Sequence, residues 1–115
     1  MQQAAQISQQ RQYSGNMVLE YVAGDGETFE WGVNIQECAV LKLCQCLGLE
    51  ELVPYICLCD YALYRGIGIG FKRTKTLGMG FDICDYRIVK GYKTPRGWPP
   101  ENVNDFRNYL NRQRQ

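Results

Sequence analysis

The chain has no histidine among its 115 residues. That absence excludes a Ser-His-Asp triad, a Cys-His dyad and any histidine-ligated metal built from this chain alone. Long apolar runs are missing too. Nothing approaches the roughly 18 consecutive apolar residues of a membrane span, so no membrane partner is expected. Charge of one sign is not in excess: 13 basic and 12 acidic residues leave a formal net charge of +1. A nucleic-acid binder usually shows a basic stripe or surplus, and the most basic stretch, Lys72-Arg73-Thr74-Lys75, is short enough to read as a solvated strand end. The first residues carry no apolar h-region and do not read as a secretory signal.

What is present is a hydrophobic fraction of 45%, enough for a real core in a single domain, and six cysteines. In a secreted chain that cysteine count would suggest a disulfide framework. Cys44 and Cys46, however, form one Cys-x-Cys pair on an amphipathic segment, and Cys57 and Cys59 form another. Such pairs are too tight to bridge internally without strain. Free thiols in a reducing, cytoplasmic compartment are therefore expected. A cysteine-ligated metal is disfavoured, because structural zinc sites use Cys-x2–4-Cys spacing in loops. No metal and no cofactor are assigned.

Residues 1–16 contain six glutamines and little apolar pattern. They read as a flexible arm, or as the tail of a helix, ahead of one α+β domain over residues 17–115. Residues 17–23 and 27–31 alternate around Gly24-Asp25-Gly26 and predict a β-hairpin. Asn34, with Glu37 three residues on, reads as a capping box opening a helix that ends at Gly48. Residues 50–64 predict a second helix, with Pro54 near its first turn. Residues 67–74 and 83–90 predict a second hairpin, with Ile69, Phe71 and Arg73 on one face of its first strand, and Gly68 and Gly70 on the other. In its second strand Cys84, Tyr86 and Ile88 face one way, and Asp85 and Arg87 the other. Residues 101–111 predict a last helix with Val103, Phe106 and Leu110 as its apolar stripe. The sum is an antiparallel sheet of about four strands, in two hairpins, covered on one face by helices.

Four residues could carry chemistry. Cys57 and Asp60 lie three apart on a predicted helix and share a face; a carboxylate beside a thiol can serve as its base. The plainer reading is a buried cysteine next to a surface aspartate. Cys84 follows a turn at a strand start, a good place to present a nucleophile, though it equally suits packing with Tyr86 and Ile88. Arg73 is drawn toward the core face and needs a carboxylate partner, either Asp60 or a ligand. Asp85 and Arg87, two apart on the opposite face, read as a modest surface ion pair. The Gly66-Ile67-Gly68-Ile69-Gly70 run precedes a strand and is not a dinucleotide fingerprint.

Three segments, residues 55–61 around Cys57 and Asp60, residues 73–77 from Arg73 to Leu77, and residues 80–87 with Cys84-Asp85-Tyr86-Arg87, resemble the L-2-amino-thiazoline-4-carboxylic acid hydrolase family. The helix around Glu37-Cys38, preceded by Phe29-Glu30-Trp31-Gly32, is similar too. The resemblance covers about residues 17 to 90, and its closing Cys-Asp-aromatic-Arg element is specific as a unit. It implies a helical region ahead of the hairpin, where this chain has its Gln-rich arm. It further implies a hydrolase acting on a small carboxylate that bears a cyclic amidine. Under that implication Cys84 or Cys57 is the nucleophile, Asp60 the acid/base, and Arg73, Thr76 and Asp82 bind substrate. A homo-oligomer is compatible with this reading, as is a non-catalytic small-molecule or partner-binding module of the same fold.

Overall fold

Trp31, Val33 and Ile35 alternate with small or polar residues over a run that is apolar on one side only. That period of two makes Trp31–Glu37 a strand, β2, and one of the two inner strands of the sheet. The computed structural model describes residues 1–114. In chain order it runs α1 (Gln2–Ser8), β1 (Val18–Ala23), β2, α2 (Ala39–Leu47), α3 (Val53–Cys57), α4 (Cys59–Gly66), β3 (Phe71–Lys72), β4 (Cys84–Ile88) and α5 (Asn104–Gln113). The four strands form one antiparallel sheet in the order β1-β2-β4-β3. The architecture is α+β, as expected. Among the described residues no helix is long and apolar enough to cross a membrane.

One face of the sheet is apolar and helix-covered. Phe71 and Ile88 pack there with Leu58 and Tyr61 from the α3–α4 segment and with Val103 and Phe106 at α5. Val33, Ile35 and Cys84 form a second cluster alongside. The opposite face is polar: Asn34 bonds Glu20 and accepts from Arg87, whose guanidinium lies over Phe29.

Several local expectations are corrected. Asn34 does not cap a helix; it sits in β2 opposite Glu20 and Asp85. Pairing on both sides overrides the capping-box pattern, and Glu37 turns to Lys42 and Arg11 instead. The helix starts five residues later, at Ala39. The strand expected over 67–74 shrinks to Phe71–Lys72. Isoleucines alternating with glycines imitate a strand, but Gly68 takes a positive φ of 75° and the chain is still leaving α4. Gly70 does meet a close approach: a Cβ there would lie 2.1 Å from the Val89 carbonyl oxygen. Asp85 and Arg87 make no ion pair. Asp85 accepts from the Thr74 and Lys75 amides at 2.7 Å each and fixes the turn after β3.

Within the expected arm, Gln2–Ser8 form a helix that buries Ala5. The reason lies in β1, one of the sheet's two edge strands, which presents unpaired backbone groups. Ser8 Oγ accepts from the Leu19 amide at 2.8 Å, and Ser8 and Gln9 side chains donate to the Leu19 carbonyl. Glutamine richness disguised a helix that shields an edge.

Candidate functional site

Arg73 leaves β3 pointing into the helix-covered face, and its side chain is 0% exposed. A guanidinium there must find acceptors or lose several kcal/mol to desolvation. It finds them. Nε donates to Asp105 Oδ2 at 2.5 Å, Nη1 to Asp60 Oδ2 at 2.7 Å and to Tyr86 Oη at 3.2 Å, and Nη2 to the Cys57 carbonyl at 2.8 Å. Four of its five N–H bonds are thus engaged by protein. Tyr61, Phe71 and Tyr86 surround the cation with their rings, 5.0 to 5.4 Å from its central carbon. Burial works against the charge, but Asp105, then the tyrosines and Asp60, outweigh it and hold Arg73 protonated.

Each partner comes from a different element. The helical path barely breaks between α3 and α4, since Leu58 keeps φ −65° and ψ −22°; Cys57 and Asp60 therefore stay one turn apart. Asp105 stands in the first turn of α5 and is fully buried. It also accepts from Thr76 Oγ1 at 2.5 Å and Tyr61 Oη at 2.6 Å. Tyr86 donates to Asp60 Oδ2 at 2.5 Å. Burial raises the hydroxyl pKa of both Tyr61 and Tyr86, keeping them donors.

The thiols lie beside this network. A Cβ on Gly78 would sit 3.2 Å from Cys57 Sγ, and the neighbouring Leu77 amide donates to Cys84 Sγ at 3.1 Å. Burial pushes the Cys57 thiol up to about 12 against the opposing pull of Arg73. It pushes Cys84 up to about 11 against the Leu77 amide and Arg73. Both are thiols at neutral pH and need a base to become nucleophiles.

The structure therefore joins Asp60, Arg73 and Thr76 in one hydrogen-bonded network through Asp105, with the Cys57 carbonyl on Arg73 and the Cys84 sulfur against the Leu77 amide. Asp82 is not among them; it is 76% exposed and faces Lys75. Thr76 is buried against Asp105, and Arg73 is turned to two protein carboxylates. Neither is open to a ligand in this arrangement, so their expected substrate-binding roles do not match their geometry. Asp105, Tyr61 and Tyr86 were missed. For Asp105 the available signal was an acidic residue between Val103 and Phe106, two members of an apolar stripe.

The exposed end of the network is Asp60. Its side chain is 31% exposed, and the hydrogen bonds it accepts fall on Oδ2. The void touching Arg73 measures about 40 Å³, far below the roughly 300 Å³ of a small-ligand pocket. All six cysteines are unpaired. Among the described residues no three His, Cys, Asp or Glu side chains converge as a metal would need.

A family model described as L-2-amino-thiazoline-4-carboxylic acid hydrolase matches residues 1–88. The match takes in α1 as well as the segments around Cys57, Arg73 and Cys84. No curated protein and no solved structure matches the chain.

Proposed function

This chain belongs to the L-2-amino-thiazoline-4-carboxylic acid hydrolase family, and from that premise we propose that it opens a small thiazoline or related cyclic amidine carboxylate by hydrolysis. The observation that carries the reading is Asp60. Arg73 and Tyr86 hold one of its oxygens, the side chain reaches solvent, and Cys57 stands one helical turn before it. An oriented, accessible carboxylate suits an amidine, which offers N–H donors and carries positive charge when protonated.

In the proposed reaction Asp60 takes the proton from Cys57 or Cys84 as the thiol adds to the ring carbon between nitrogen and sulfur. The ring carbon–sulfur bond breaks, its electron pair leaves on the ring sulfur, and Asp60 returns the proton there. Water then adds to the same carbon and releases the protein thiol, giving an N-carbamoyl amino acid that bears a free thiol. Cys57 is the more exposed of the two residues, and Cys84 Sγ has the backbone donor. Arg73 orients Asp60; Thr76 supports Asp105.

The test is formation of N-carbamoyl-cysteine from 2-amino-thiazoline-4-carboxylate, followed chromatographically. Turnover by the parent protein and its loss in Asp60→Asn are expected. Turnover that survives Asp60→Asn, Cys57→Ser and Cys84→Ser alike would overturn the role assignments. A second reading, a non-catalytic binding module of the same fold, draws on the 40 Å³ void and the two protonated thiols. Substrate binding without turnover would favour it.

A further inference from the structure

We infer that Asp105 is the positioning residue of this site, acting through Arg73 on Asp60. It lies on α5, beyond the residues 1–88 that the family model matches. It is fully buried, yet it accepts from Arg73 Nε, Thr76 Oγ1 and Tyr61 Oη, all within 2.6 Å, and from the Phe106 amide at 2.9 Å. A carboxylate so enclosed is tolerable only when paired and fully hydrogen-bonded. The pairing has a directional consequence. A guanidinium is a rigid planar fork, so holding the Nε edge against Asp105 fixes where Nη1 points. Nη1 points to Asp60 Oδ2. Thr76 and Tyr61 fix Asp105 from the turn after β3 and from α4, so the direction of the fork is set by three segments at once.

The inference rests on the reading of Asp60 as acid/base, but the placement can be tested without turnover. Two carboxylates share one guanidinium here. Neutralising Asp105 leaves more of the Arg73 field for the groups that face Asp60 from the surrounding elements: Cys57, Tyr64, Cys84 and Tyr86. Removing a negative neighbour favours the ionised form of a thiol or carboxylate.

The experiment compares Asp105→Asn and Asp105→Glu with the parent protein by iodoacetamide alkylation, read cysteine by cysteine in peptide masses. Asparagine can still accept from Arg73 and Thr76 through its oxygen and donate to the Tyr61 oxygen, while the Phe106 amide loses its acceptor. Asp105→Asn should speed Cys57 alkylation by about tenfold, the effect of one pKa unit, and leave the exposed Cys46 unchanged. Asp105→Glu keeps the charge but disturbs packing. It should stay near the parent rate if Arg73 is positioned by charge, and should match or exceed asparagine if Asp105 only fills space. Where the parent turns over substrate, the acidic limb of its kcat–pH profile should move to lower pH in Asp105→Asn. Absence of turnover in the parent removes the hydrolase reading and leaves alkylation to decide the positioning role. An unchanged Cys57 rate in folded Asp105→Asn, or equal effects of Asn and Glu, overturns the inference. If Asp105→Asn does not fold, Thr76→Val decides: it keeps both charges and withdraws one donor from Asp105, which should slow Cys57 alkylation. An unchanged or faster rate overturns the inference.

Discussion

Arg73, one residue past β3, and Arg87, in the adjacent strand β4, occupy opposite physical worlds. Arg73 turns into the helix-covered face, loses all contact with water and binds two carboxylates inside an aromatic shell. Arg87 turns to the polar face, stays half-buried, donates to Asn34 and its neighbouring carbonyl, and lies over Phe29. One guanidinium organises α3, α4 and α5; the other covers a patch of strand. The difference teaches that the side of the sheet a residue faces decides whether an arginine is locked into a buried polar network or left on a half-exposed face.

The sharpest way to break the comparison is to remove each cation. Arg73→Leu leaves Asp105 charged and buried with no counter-charge, and losing one member of a buried pair costs about 3–5 kcal/mol. Urea denaturation should show that loss as a lower midpoint. Arg73→Lys should recover only part of it, because one ammonium cannot hold the spread of acceptors that the fork holds. A change below about 1 kcal/mol for Arg73→Leu, the size expected of a surface pair, would erase the contrast.

The next effect is alkaline and follows from the thiols beside Arg73. Cys57 and Cys84 have folded pKa values raised from 9.0 to about 12 and about 11. A raised folded value means that the folded state holds its proton after the unfolded state has lost it. The stabilisation is complete below pH 9 and is given up as pH climbs from there toward the folded values. Each thiol should contribute about 1.4 kcal/mol of lost stability per pH unit inside that window. Tyr61 and Tyr86 act in the same direction above their ordinary value near 10. Denaturation midpoints measured from neutral pH upward should fall above pH 9, and Cys57→Ala should flatten the fall. A flat parent profile would show that burial does not protect these thiols.

Much of this contrast was legible in the sequence. Residues facing inward and outward on β4 followed from alternation alone, and the inward turn of Arg73 followed from Phe71 two residues before it, whereas Ile69, expected on the same face, is exposed. Cys57 and Asp60, expected one turn apart on a helix, stand so across the α3–α4 join. The partner of Arg73 was only half legible. Asp60 lies 13 residues away, whereas Asp105 lies 32 residues away. A pairing across that separation leaves no periodic trace. Asn34 shows the converse failure: a local capping pattern was present and lost to strand pairing on both sides. The Gly-Ile repeat failed for a third reason, since period two was real but the glycine backbone did not follow a strand.

A smaller effect probes the packing that Arg87 needs. It crosses Gly32, its partner in the β2–β4 register. A Cβ on Gly32 would lie 2.5 Å from the Tyr86 carbonyl oxygen and 2.7 Å from Arg87 Cδ. The side chain could move aside, but the backbone carbonyl cannot without disturbing the ladder. Gly32→Ala should therefore cost about 1–3 kcal/mol, the range for overpacking. The loss should persist in the Arg87→Ala background. Full recovery there would mean that the side chain, not the carbonyl, sets the limit.

The smallest effect belongs to Arg87 itself. Its hydrogen bonds go to a neutral amide oxygen and a backbone carbonyl, both 2.9 Å away on a half-buried face. Water can replace each of them, so no buried acceptor is stranded when the side chain is cut. The contact over Phe29 adds a cation–π term of about 0.5–1 kcal/mol at an exposed site. Arg87→Ala should accordingly cost about 1 kcal/mol, with the urea midpoint lowered slightly and the slope unchanged. Cys57 alkylation should stay at the parent rate, because the sheet separates Arg87 from the Asp60–Arg73–Asp105 network. Equal losses for Arg87→Ala and Arg73→Leu would show that the two faces share one cooperative polar system. A small loss with unaltered thiol chemistry would leave Arg73 as the arginine that the fold is built around.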